Sequence, residues 1–491
     1  MKKSVSIICN AMFMIVLSFV LIKEYSVIQS YHYELSKYFY HIKNNKKNYY
    51  YFLYFLLGIF VIKFELLYLA ISSLLLIYLV KKYDLKYTFR VKRVLIINFI
   101  ILTIMLLTNT LKYVFILPFL YLLLVHSISL LVEKIVYLKF LKKAKRKIKN
   151  KFVIGVTGSA GKTSVKNIIY DLMINDFNVG KTPKSYNNKV GIVKSINEYM
   201  SVYDDYFVCE YGVDKVKSMD KLLKIVQPNI AVVTEIGNQH LLSFKSQENI
   251  LHEKIKLIDN LKDKGTGVIN NDNKYLREYD YKNFNILRYG INHESDVMAK
   301  NIVLKDTSSE FDLYIKNKYI TRVNTTLLSI HSVENILCGV CVCLCLDMGI
   351  DKIIKNLKNV TPVPHRLEYK ISDEVEIIDD SFNSNIKGFK EALEILNKSN
   401  KYKILITPGI IEQGSNNKNV SYEIAHDIIN NVDYVYLVSD NSIYIKEYFD
   451  LHEFSNYESK TSFKEAFDSA KKIDRQKIIL IENDLPNIYL K

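Results

Sequence analysis

Six cysteines among 491 residues are too few, and too scattered, to build a disulfide framework. Cys9 falls in an apolar run, Cys209 in a predicted strand, and Cys338, Cys341, Cys343 and Cys345 in one apolar helical stretch. Buried, reduced thiols are therefore expected rather than a metal cluster. No internal repeat and no low-complexity tract occurs, which sets aside repeat arrays. A second ATP-binding signature is also missing, which weighs against a transporter driven by paired ATPase sites. Acidic residues are the minority, 51 against 67 Lys and Arg, giving a net charge of +16. Much of that excess flanks apolar segments, where anionic lipid is a nearer partner than nucleic acid. No nucleic-acid partner is expected.

Hydrophobic residues crowd into the first 140 positions. Val5 to Ile22 carries no charge and follows Lys2 and Lys3, as a transmembrane helix or the core of a signal peptide would; the later spans favour the helix. Tyr51 to Val80 is interrupted only by Lys63 and Glu65, so it reads as one long tilted helix or two short segments. Val94 to Thr108 and Val114 to Leu131 complete a set of four or five spans. Basic residues lie between Val80 and Val94 and again after Leu131, which by the positive-inside rule places both stretches in the cytoplasm. The expectation is a multi-pass protein of the cell membrane, in contact with membrane lipid, with its catalytic domains in the cytoplasm. Residues 1–138 form the transmembrane region, 139–151 a basic cytoplasmic linker, 152–362 a central ATP-binding domain and 363–491 a C-terminal domain.

After the linker, Phe152 to Thr157 is a short β-branched run, Gly158-Ser159-Ala160-Gly161-Lys162-Thr163-Ser164 a glycine turn, and Val165 to Met173 a helical pattern. Strand, glycine turn and helix in that order point backbone N–H groups and a helix N-terminus at phosphate oxygens. Lys162 is then placed to reach the terminal phosphates and Thr163 to hold Mg²⁺. The segment from Thr157 through Ser164 is the expected ATP-binding loop.

Thr157-Gly-Ser-Ala-Gly-Lys-Thr163 resembles the ATP loop of the Mur ligases, which join amino acids or dipeptides to peptidoglycan precursors. Further blocks resemble that family in order: Thr182-Pro-Lys-Ser185-Tyr-Asn187-Asn188, Glu210-Tyr-Gly212, Pro228 to His240, and Phe244-Lys-Ser246-Gln-Glu248. The similarity is greatest to the D-alanyl-D-alanine-adding members in a form with an N-terminal membrane region. The resemblance implies an α/β fold, with a P-loop-type central domain and a Rossmann-like C-terminal domain behind the transmembrane helices. It implies that Thr182, Ser185, Asn187 and Asn188 contact substrate and that Thr163, Glu210, His240 and Lys254 hold Mg²⁺, Lys254 as a carbamate. Glu210 and His240 follow predicted strands, at the strand ends where open α/β sheets bind ligands. Lys256, where the family has glutamate, and Lys217-Ser218-Met219 depart from its pattern.

The C-terminal blocks continue the resemblance. His331-Ser-Val-Glu-Asn335 implies an adenine contact by Asn335. Pro364-His-Arg366-Leu-Glu368 and Asp379-Asp380-Ser381-Phe-Asn383-Ser-Asn385 imply that Arg366 meets the γ-phosphate and Asp380 the ribose or the metal shell. The activity implied is ATP-dependent amide-bond formation through an acyl phosphate, with Lys162, Lys254 and Arg366 as the catalytic residues. The favoured substrates are a UDP-muramyl-tripeptide, a nucleotide-sugar peptide, and D-alanyl-D-alanine as amine donor, with other envelope-synthesis enzymes as partners. The same chemistry on a capsule or poly-glutamate-type polymer, or a non-catalytic membrane scaffold, stays open.

Overall fold

The computed structural model describes residues 2–30, 38, 86–108, 118–237, 241–262, 265–281, 284–305, 307–372, 374–382, 386–410 and 416–483. The chain divides into two compact units, Met1–Lys139 and Phe140–Lys491.

The first unit contains helices α1 (Lys2–Ser30) and α2 (Phe89–Leu107) and most of α3 (Pro118–Ile148). They share a core of Val16, Leu17, Val20, Val94, Leu102 and Val125. Polar side chains are paired inside it. Tyr121 donates to Asn98 Oδ1 at 2.7 Å, and the Asn98 amide donates to Ser18 Oγ at 3.2 Å. Tyr25 meets His126 Nδ1 at 3.0 Å, and Arg93 holds Glu133 bidentately at 2.6 and 2.8 Å.

This arrangement corrects the expectation of transmembrane helices. Among the described residues no helix is long and apolar enough to cross a membrane, a task that needs about 20 consecutive apolar residues. Charged residues border the expected spans where they are described. In α1, Lys23 and Glu24 follow Val5–Ile22, and side chains are described only from Met14 onward. Helix α2 spends its first turns on Arg90, Lys92 and Arg93 before Val94–Thr108 begins, and α3 reaches Glu133 and Lys134 just after Leu131. The span expected at Tyr51–Val80 lies outside the described residues, as does the start of Val114–Leu131. The described residues therefore do not support the multi-pass membrane location or the membrane-lipid partner. The basic stretch that was to link the membrane to the enzyme is instead the end of α3, with Lys145, Arg146 and Lys147 in its last turn, where cations meet the negative end of the helix dipole.

In the second unit, β1 (Phe152–Thr157) lies inside the parallel part of a nine-stranded sheet ordered β2-β3-β1-β4-β5-β6-β7-β8-β9. Its neighbours are β3 (Tyr206–Glu210) and β4 (Ile230–Val233), both parallel to it, with β2 (Val179–Lys181) outside β3. β5 (Thr266–Asn270), β6 (Asn285–Gly290) and β7 (Val297–Leu304) continue in parallel, and β8 (Ser309–Ile315) and β9 (Lys318–Thr325) close the sheet as an antiparallel meander. The chain leaves β1 towards β2 and β3 on one side and returns to β4 on the other. The C-terminal end of β1 is therefore a topological switch point, where a crevice opens between diverging connections.

Helix α4 (Lys162–Met173) packs on this sheet and on α6 (Ile330–Cys345) through Ile168, Ile169, Leu172, Val333, Ile336 and Val340. Each such fully buried aliphatic side chain contributes about 1.5–3 kcal/mol. The two helices approach closely at Gly339, where a Cβ would lie 2.8 Å from both Ile168 and Leu172. Cys209, Cys338, Cys341 and Cys343 are buried and unpaired, as their apolar surroundings imply. Helix α5 (Gln247–Asp259), capped by Ser246 on the Asn249 amide at 3.2 Å, comes between the two in chain order.

A second, six-stranded sheet is ordered β10-β11-β15-β12-β13-β14. β10 (Glu368–Ser372) and β11 (Val375–Asp380) form an antiparallel pair. β11, β15 (Lys477–Glu482), β12 (Tyr402–Thr407), β13 (Tyr434–Val438) and β14 (Tyr457–Lys460) are parallel. Separate apolar clusters cover its two faces, one around Phe389, Leu405, Ile424 and Leu480, the other around Ile377, Ile406, Ala466 and Ile479. Phe389 is carried by α8 (Ile386–Asn397), which follows α7 (Ile350–Leu357). Both faces of a parallel sheet must be covered, which is why its strands read as near-continuous apolar runs.

Candidate active site

The loop after β1 is shaped by two glycines. Gly158 (φ +153°) and Gly161 (φ +78°) occupy conformations that side chains rarely adopt, and there is no room for one: a Cβ on Gly158 would lie 1.9 Å from Thr234 Oγ1, and one on Gly161 2.9 Å from Asn335 Oδ1. The Ser159 amide donates to the Glu235 carbonyl at 2.7 Å, and Ser159 Oγ accepts from the Gly237 amide at 2.9 Å. Helix α4 begins at Lys162 with no side chain capping it. Its first amides keep the partial positive charge that suits an anion. Lys162 folds over the loop, donating to the carbonyls of Gly158 and Ser159 at 2.8 and 2.9 Å. Burial lowers its pKa, with Arg366 adding to the effect and Glu210 opposing it.

Glu210, at the end of β3, is the hub of the floor. Its carboxylate accepts from Thr163 Oγ1 at 3.1 and 3.2 Å, from Lys166 Nζ at 3.1 Å and from the Asn187 amide at 2.9 Å. Its backbone amide donates to Thr182 Oγ1 at 3.2 Å. Two of the four expected substrate-loop residues, Thr182 and Asn187, thus brace Glu210. Asn188 caps the short helix Lys189–Lys194 through the Gly191 amide at 2.9 Å, and the Ser185 carbonyl accepts the Asn187 amide in a turn, also at 2.9 Å. His240 lies outside the described residues.

Lys254, on α5, is 3 % exposed. Burial, then the nearby charge of Lys162, lowers its pKa to about 7. A lysine in that state offers a neutral amine, the form that adds CO₂. Lys256, the departure from the family pattern, does not enter the site. It pairs with Asp220 at 2.8 Å and with Glu253 at 2.9 Å, while Glu253 also accepts the Met219 amide at 2.8 Å. The two departures, Lys217-Ser218-Met219 and Lys256, therefore meet each other and fasten the helix Ser218–Leu223 to α5.

A cavity of about 800 Å³ opens above the loop, reached by Ser159, Gly161 and Asn335 from one sheet and by Arg366, Asp380 and Phe382 from the other. Asn335 lies on the second turn of α6 and touches Gly161, while Ser329 caps the helix on the Ser332 amide at 3.1 Å. His331 pairs with Glu334 at 2.9 Å and faces Glu391 of α8 at 3.8 Å, and the Glu334 hydrogen bond raises its pKa. Arg366 lies over the Phe382 ring at 4.8 Å. Its neighbours His365 (φ +65°) and Leu367 (φ +46°) are both left-handed, a strained arrangement of the kind that fixes functional side chains. The Leu367 amide donates to Asp380 Oδ1 at 3.1 Å, and burial pushes the Asp380 carboxyl up to about 6.

Residues 156–343 match the model of the Mur ligase middle domain. That segment resembles the Mur ligases. The chain is 28 % identical over 289 residues to the UDP-N-acetylmuramoyl-tripeptide--D-alanyl-D-alanine ligase of Buchnera aphidicola, covering 58 % of the chain and 61 % of that relative. It is 26 % identical to the Escherichia coli ligase of the same name over 54 % of the chain and 59 % of the relative. It therefore spans about three-fifths of the curated relatives it matches. Among solved structures, MurF from Thermotoga maritima in complex with ADP superposes with a TM-score of 0.62 at 26 % identity, covering 71 % of this chain and 80 % of that one. MurF from Acinetobacter baumannii shares the fold, with a TM-score of 0.66 at 23 % identity over 71 % of this chain and 78 % of that one.

Sequence reasoning missed two residues of this candidate site. Lys166 sits one helical turn beyond Thr163, and that i, i+3 spacing could have placed it beside Glu210. Glu235 lines the cavity two residues past β4, a strand end like those that flagged Glu210 and His240.

Proposed function

We propose that this chain is a Mur-type, ATP-dependent amide ligase acting on a carboxylate-bearing cell-envelope precursor, with UDP-muramyl-tripeptide and D-alanyl-D-alanine as its substrates. The observation that carries the reading is the uncapped start of α4, with Lys162 folded over the glycine loop onto the Gly158 and Ser159 carbonyls. The loop amides and α4 cradle the β- and γ-phosphates of ATP, and Asn335 and Asp380 line the nucleotide cavity.

A substrate carboxylate oxygen attacks the γ-phosphorus and ADP leaves, forming an acyl phosphate. The amine then adds to the acyl carbon and gives up a proton, and the C–O bond breaks to release phosphate. Such chemistry depends on position and charge neutralisation more than on covalent help. Lys162 and Arg366 neutralise the charge that develops on the transferred phosphoryl group. The Thr163 hydroxyl and the Glu210 carboxylate form a hard-oxygen pair that fits Mg²⁺, which when bound screens the phosphate charge; Lys254, as a carbamate, would add an anionic oxygen.

The test is phosphate release by the purified full chain with Mg²⁺ and ATP across a panel of UDP-muramyl peptides and amine donors, with Lys162→Ala as the control. Turnover that requires both UDP-muramyl-tripeptide and D-alanyl-D-alanine is expected. Turnover only with another acceptor, such as a γ-glutamyl chain, would overturn the substrate assignment, and no turnover with any pair would overturn the catalytic one.

A further inference from the structure

Two carboxylates flank the phosphate loop, one past each strand neighbouring β1. On the β3 side, Glu210 is paired: Lys166 lies at 3.1 Å, and Thr163 and Asn187 donate to its carboxylate. On the β4 side stands Glu235. Its backbone is locked to the loop, since its carbonyl accepts the Ser159 amide at 2.7 Å and its amide lies 3.1 Å from where a Gly158 Cβ would be. Its side chain reaches the loop's open face: a Cβ on Gly237 would lie 3.8 Å from both Glu235 Oε1 and Ser159 Oγ. The carboxylate lines the nucleotide cavity, makes no hydrogen bond or ion pair among the described residues, and acts on Lys162 through space.

An unpaired carboxylate beside a triphosphate is electrostatically costly. Unit charges about 4 Å apart repel by about 4 kcal/mol near a protein surface, and the triphosphate carries several. The cost vanishes, and its sign reverses, when a divalent cation lies between the two anions. We infer that Glu235 is an anionic ligand, direct or through one water, for the divalent metal that accompanies the nucleotide. Glu235 thereby adds an acidic oxygen to the pair formed by Thr163 and Glu210. The inference deepens the nucleotide reading given above and rests on it.

The experiment is calorimetric titration of ATP into the full chain, once with Mn²⁺ and once with EDTA, with Mn²⁺ binding followed in parallel by electron paramagnetic resonance. In Glu235→Gln the gain in ATP affinity that Mn²⁺ brings falls about 10–100-fold, while metal-free ATP binds as in the parent or more tightly because the repulsion is gone. Glu235→Asp, which keeps the charge on a shorter arm, retains part of the metal dependence. Equal weakening with and without metal would show a structural role and overturn the inference, as would an unchanged metal dependence. A parent protein that binds no ATP under either condition instead overturns the nucleotide reading, so the two failures are distinct.

Discussion

Lys166 and Glu210 form an ion pair of 3.1 Å in which the two side chains are 0 % and 1 % exposed. Burying both charges is costly unless each stays fully bonded. Lys166 also donates to the Lys184 carbonyl, and Glu210 to its three partners owes its orientation. Lys166→Met leaves the carboxylate buried without its cation, and a loss of roughly 3–5 kcal/mol is expected in chemical denaturation. The double variant with Glu210→Gln should lose less than the sum of the two single changes. Strict additivity would mean that the pair is not coupled.

Lys254 titrates near 7 because burial and Lys162 disfavour its ammonium. Its folded pKa lies below the unfolded one, so between about pH 7 and 10.5 the unfolded chain holds a proton that the folded chain has shed. By linkage, this group's contribution to stability rises with pH across that window and is lost as pH falls towards 7. The same neutral amine should take up CO₂. With ¹³C-bicarbonate, a carbamate resonance is expected that strengthens above pH 7 and vanishes in Lys254→Arg; a spectrum without it at any pH would sink the carbamate role.

Arg366 is aimed by two left-handed neighbours and by the Phe382 ring. If it meets the transferred phosphoryl group, Arg366→Ala lowers kcat by about 10²–10³ with a smaller change in the KM for ATP. Lys at this position restores little, because an ammonium lacks the planar fork. A rise in KM at constant kcat would make Arg366 a binding residue only.

Lys256 bridges Asp220 and Glu253 away from the cavity. Because it is 30 % exposed, solvent screens the pairs. Lys256→Ala should cost about 1 kcal/mol or less in a thermal melt and leave steady-state turnover within about twofold. A large loss of turnover would return this position to the substrate side.

The phosphate loop was legible because it is local. A β-branched strand, two glycines and a helix start lie within a few residues, and Gly158 and Gly161 adopt the conformations that only glycine accepts readily. Lys162 and Thr163 follow from that geometry alone. Sequence also located Glu210, Arg366 and Asp380, through resemblance, and the structure gathers them about one cavity and its floor. It could not say what Glu210 is bound to. Lys166 and Glu210 are 44 residues apart in the chain, and only the parallel pairing of β3 with β1 brings them together.

The N-terminal unit shows the opposite case. Hydrophobic runs there read as membrane spans, because a run reports that a side chain must be covered and not what covers it. In the described part, Val20, Val94 and Val125 cover one another, and Asn98, Tyr121 and Arg93 find protein partners. The sequence alone thus determined the glycine loop after β1, whose conformation is set by steric limits of adjacent residues. Which apolar faces meet, and which buried charges are neutralised, depends on contacts between distant segments, and only the tertiary structure decided them.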